Sequence, residues 1–109
     1  MKLDRNIAGN KGRGKYAIIN LRKLSDLEGR QLGAVLSALN ELEELGILEW
    51  GAVGDPNEFF LIKLKDQCAR AALRAYAREA AAFDPEWSDE VSELAGRSGR
   101  NHPLCKLPD

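Results

Sequence analysis

One histidine, His102, is all the imidazole this sequence holds. Any Ser-His-Asp set or Cys-His pair must use that single ring, and a histidine-rich metal centre is excluded. His102 opens the tetrapeptide HPLC with Cys105, and one His with one Cys is too few ligands for zinc. The cysteines number two, Cys68 and Cys105, below the density and spacing of disulfide-stapled secreted domains. No apolar run approaches the roughly 20 residues that cross a bilayer. No apolar stretch follows the opening MKLDRN, so no signal peptide is expected. The cytoplasm is the expected compartment, with both thiols reduced. No acid/base pair stands out, and neither enzymatic activity nor a cofactor is expected.

What is present is an ordinary globular composition, 44% hydrophobic and 30% charged over 109 residues. That length predicts one domain with a modest core. The net charge of −1 conceals blocks: residues 1–24 carry +6, 25–58 carry −7, 59–82 carry +3, 83–93 carry −5 and 94–109 carry +2. Such blocks either complement one another within the chain or present a basic patch to an anionic partner.

Periodicity predicts an α+β fold, a small mixed three-stranded sheet packed with helices in the order β-α-β-β-α-α. Residues 1–14 read as a Gly-rich basic arm, 15–96 as the α+β domain and 97–109 as an irregular tail. The strands are expected at 15–22 (KYAIINLR), 47–50 and 58–65 (EFFLIKLK), the last two forming a hairpin about the turn GAVGDPN. The first helix starts near Arg30, with Leu32, Val35, Leu36, Leu39, Leu42 and Leu45 as its stripe and Gly46 as its C′ residue. Asp66 is placed to cap the second helix, and Asp84-Pro85 to open the third. Leu32, Leu36, Leu39, Ile62, Leu64, Tyr76 and Trp87 form the expected core.

Two motifs suggest binding chemistry. The segment GNKGRGK matches GxxxxGK, but Tyr16 follows where a P-loop has Ser or Thr, and a strand follows where it has a helix. What survives is an anion nest of backbone amides flanked by Arg5, Lys11, Arg13 and Lys15, against the plainer reading of a solvated arm. Arg70, Arg74 and Arg78 recur at i, i+4, i+8 along one side of the second helix. They suit phosphates or an acidic partner; the plainer reading pairs them with Glu79 or the acids at 84–93. Those acids, Asp84, Glu86, Asp89, Glu90 and Glu93, read as a solvated helix face favouring the dipole. The run LSALNELEELGILEW with the hairpin is similar to the last helix and wing of a winged-helix domain, but lacks the preceding helix and carries an acidic surface.

The opening DRNIAGNKGRGKYAIINLRKL, the segment EFFLIKLKDQCARAALRAYAREAA and the ending AGRSGRNHPLCKLPD resemble small accessory proteins of tailed phages and prophages. The resemblance brings no functional residues. It implies a non-enzymatic protein that acts on the host, such as a defence inhibitor binding a host protein or sequestering an anionic ligand. The alternatives are a nucleic-acid-binding, partly winged-helix-like regulator and a virion assembly factor. A homo-oligomer is expected, because the strand at 59–62 is apolar on both faces and the alanine-rich second helix buries little area by itself.

Overall fold

A computed structural model describes residues 15–107. Three α-helices form: α1 (Gly29–Glu44), α2 (Ala69–Ala80) and α3 (Pro85–Gly96), with 3-10 turns at Leu21–Asp26 and Gly99–Asn101. Helix accounts for 53% of the described residues, and no strand forms among them. The expected three-stranded sheet is therefore absent and the fold is helical, not α+β. The described residues divide into two compact units, 17–60 and 15–16 with 61–107.

Within residues 17–60, α1 ends as its glycine dictates. Gly46 adopts φ +72°, its N–H donates to the Glu43 carbonyl and that of Ile47 to Leu42, both at 3.0 Å. This is a Schellman closure, which needs a left-handed residue at C′. The start of the helix has no such device, since the N-cap residue Glu28 makes no side-chain cap. Leu39 is the one buried hydrophobic of α1; Leu36 is 49% exposed.

The hairpin turn forms without its strands. The Asp55 N–H donates to the Ala52 carbonyl, that of Glu58 to Asp55, and that of Gly54 to the Glu58 carboxylate at 3.0 Å. A side chain at Gly51, whose φ is +57°, would fall on the Phe59 ring. Beyond this turn the flanking segments form no ladder. A two-stranded hairpin is marginal without a third strand or a covering layer, and 15–22 supplies no ladder. The wing of the winged-helix comparison is thus not formed among the described residues.

Residues 61–107 hold the denser packing. Asp84 caps α3 as expected, accepting the Trp87 N–H at 3.1 Å with Pro85 in the first turn. The N-cap of α2 is Cys68 rather than Asp66; the Asp66 carboxylate accepts the Cys68 N–H at 2.7 Å just ahead of the helix. α2 and α3 pack as a helical hairpin. Ala69, Ala77 and Ala80 are buried on α2, and Ser88, Val91, Leu94 and Ala95 on α3. Small side chains let the two backbones approach, and the Ser88 hydroxyl donates to the Ala77 carbonyl at 2.7 Å. The Trp87 indole N–H donates to the Tyr76 hydroxyl at 3.1 Å, with the rings edge to face at 6.4 Å. Of the seven expected core residues only Leu39 is buried: Leu36 and Tyr76 are exposed, and Leu32, Ile62, Leu64 and Trp87 are half-buried. The alanines and serines between α2 and α3 take their place.

The segment after α3 is bonded back onto the chain ahead of α2. The Gly99 N–H donates to the Leu64 carbonyl at 2.8 Å and that of Lys106 to Lys65 at 3.0 Å. The Gln67 N–H donates to the Lys106 carbonyl at 2.9 Å, completing an isolated parallel bridge between Asp66 and Lys106. Ser98 is fully buried, and Gly99 has φ +59° where a Cβ would stand 3.1 Å from Arg70 Cβ and 3.2 Å from the Gln67 carbonyl oxygen. No helix among the described residues is long and apolar enough to cross a membrane.

Candidate binding groove

With 3.6 residues per turn, i and i+4 fall on one face of a helix. On α2 this aligns Arg74 with Arg78 and Ala77 with Ala81; on α3 it aligns Ser88 with Ser92. Packed together, the six line an open groove of about 310 Å³. Its floor is formed by small side chains, Ala77, Ala81, Ser88 and Ser92. Arg74 and Arg78 are both exposed and stand along one rim, about 6 Å apart along the axis.

The electrostatics of the rim differ from the expected internal pairing. Among the described residues neither Arg74 nor Arg78 makes a hydrogen bond or ion pair, although five acids lie between 84 and 93. The Ser88 hydroxyl already donates its hydrogen bond to the Ala77 carbonyl; the exposed Ser92 hydroxyl makes none among the described residues. Asp89 and Glu93 follow Ser88 and Ser92 by one residue, about 100° further round α3. They lie on the side of the serines away from Val91 and Leu94, and they too are exposed and make no ion pair or hydrogen bond among the described residues.

The other expected site residues are distributed differently. Arg70 stands beside Gly99 rather than in the groove, and its Nε is buried without an acceptor. Lys15 has its ammonium 5.7 Å from the centroid of the Tyr16 ring and does not line the groove. Arg5, Lys11 and Arg13, with the rest of the Gly-rich arm, lie outside the described residues. His102 is committed to a local turn, its Nδ1 accepting the Leu104 N–H at 3.0 Å, and Cys68 and Cys105 are free thiols. Among the described residues no three His, Cys, Asp or Glu side chains cluster as a metal site.

The sequence alone does not mark Ser88 and Ser92 as groove residues. Their spacing matches that of Ala77 and Ala81, but a row of small residues becomes a groove only once the facing helix is known. No family model, no curated protein and no solved structure matches the chain.

Proposed function

We propose that this chain is a non-enzymatic binding protein, of the accessory kind that tailed phages and prophages encode, whose α2–α3 hairpin engages a carboxylate-bearing protein partner in the host. The observation that carries the reading is the pair Arg74 and Arg78, exposed on a groove rim and matched by no carboxylate of the described residues. An arginine fork meets a carboxylate with two parallel hydrogen bonds. Two forks one helical turn apart match side chains at the same spacing on an acidic helix.

The test is a calorimetric titration of the chain with a hexaglutamate peptide, inorganic tripolyphosphate and a short DNA duplex at low ionic strength. Binding of the peptide is expected, weakening about 10-fold for Arg74→Ala and again for Arg78→Ala, the scale of one solvent-screened arginine–carboxylate fork lost each time. Unchanged affinity in the double variant, or no binding of the peptide by the parent chain, overturns the reading. Tighter binding to the duplex, with a steep loss on adding salt, replaces the acidic protein by nucleic acid.

A further inference from the structure

The α2 rim of the groove is basic, and the face of α3 just beyond its groove-lining serines is acidic. Arg74 and Arg78 line the α2 rim, and Asp89 and Glu93 stand beyond Ser88 and Ser92 on α3. A free phosphate drawn to the arginines would also meet these carboxylates, whereas an occupant carrying both charges in the same arrangement would satisfy all four. We infer that this occupant is a second copy of the chain. The inference rests on the reading that Arg74 and Arg78 engage carboxylates, and it names where those carboxylates come from.

The geometry follows from one hydrogen bond. The Ser88 hydroxyl donates to the Ala77 carbonyl, so these two residues stand at one height on antiparallel helices. Counting in opposite directions, Arg78 is level with Trp87 and Arg74 with Val91. Asp89 and Glu93 then each lie two residues, about 3 Å along the axis, from the levels of Arg78 and Arg74. A two-fold axis running along the groove preserves these heights. It lays α2 of one copy antiparallel over α3 of the other, with Arg78 facing Asp89 and Arg74 facing Glu93 of the second copy. The symmetry repeats both pairs, giving an isologous contact with four ion pairs. The small floor residues Ala77, Ala81, Ser88 and Ser92 let the four helices approach as an antiparallel bundle. An acidic host segment that binds the arginines then competes with self-association.

Charge swapping tests this without removing any packing side chain. Sedimentation equilibrium of the parent chain is expected to show a dimer of the 12.0 kDa chain. Arg74→Glu/Arg78→Glu makes both faces acidic, and Asp89→Arg/Glu93→Arg makes both faces basic. Each variant alone is expected to dissociate, its dimer constant weakened by about 100-fold as attractive pairs become repulsive. Mixed in equal amounts, the two variants restore every pair and are expected to form a heterodimer. A parent chain that remains monomeric at high micromolar concentration overturns the inference. So does a dimer that persists in both variants, or a mixture that stays monomeric after the parent has dimerised and both variants have kept their helical circular dichroism. If the parent chain is monomeric yet still binds the hexaglutamate peptide through Arg74 and Arg78, the functional reading stands and the second copy alone is excluded.

Discussion

In the α2–α3 hairpin small apolar side chains are buried; in residues 17–60 large ones are exposed. Ala69, Ala77, Ala80, Val91, Leu94 and Ala95 are each at most 7% exposed. Ten larger side chains between 18 and 60, Ile18, Ile47, Trp50, Phe59 and Phe60 among them, are more than 40% exposed, and Leu39 is the only buried hydrophobic there. Hydrophobicity is therefore not what separates the regions. α2 and α3 are joined by four residues, and their faces meet at little cost in chain entropy. The segments with strand character at 15–22 and 58–65 lie some 40 residues apart, so a sheet requires non-local pairing to be completed before it stabilises anything.

The comparison is broken most directly by truncating one leucine from each region. Leu94→Ala is expected to destabilise the chain by about 2–5 kcal/mol, the usual cost of a cavity in a packed site. Leu36→Ala, at a side chain already half in water, is expected to cost less than about 1 kcal/mol, in proportion to the area it buries. Urea titrations of both variants measure this. Equal costs would show that α1 is covered in solution as well as α3 is.

Two glycines sharpen the contrast. Gly99 combines φ +59° with a Cβ position tight against Arg70 and the Gln67 carbonyl. Gly99→Ala is expected to cost about 2–3 kcal/mol, from left-handed strain and local overpacking together. Gly33 is helical, and a Cβ there meets nothing within 4 Å. Gly33→Ala is expected to stabilise the chain by about 0.5–1 kcal/mol, the helix-propensity difference. Thermal melts of the two variants should move in opposite directions; a loss at Gly33 would reveal a neighbour close against α1.

What the sequence makes legible here is local. The helix α1, its closure at Gly46 and the opening of α3 at Asp84-Pro85 all depend on residues within one or two turns, and all three form. The expected strands do not form because EFFLIKLK and KYAIINLR have strand character but no ladder partner, and strand character does not say where a partner lies. The attachment of the final segment was illegible for another reason. It is made by the backbone of Leu64, Lys65, Gln67, Gly99 and Lys106, and backbone groups leave no side-chain pattern. At the groove, the arginine spacing could be read from sequence. That the arginines share their groove with Ser88 and Ser92 depends on the heights at which α2 and α3 pack.

The smallest expected effect concerns how the helices begin. Asp84 accepts the Trp87 N–H at the start of α3, satisfying one of the amides that a helix leaves unpaired. Glu28 occupies the same position on α1 and makes no such bond. Glutamate is a poor N-cap residue compared with the shorter aspartate. Asp84→Ala is therefore expected to cost about 1 kcal/mol. Asp84→Asn retains an acceptor of the same reach, and its cap contribution should largely survive. Glu28→Ala should change stability by no more than a few tenths of a kcal/mol, the ordinary range for a surface position. The three variants are compared by urea titration at one pH, with amide hydrogen exchange reporting on the first turn of each helix. If Glu28→Ala costs as much as Asp84→Ala and speeds exchange at the start of α1, the carboxylate of Glu28 caps that helix in solution. The contrast between the two helix starts would then be lost. If only Asp84→Ala weakens its helix, the tighter α2–α3 hairpin owes part of its order to a local cap that α1 lacks.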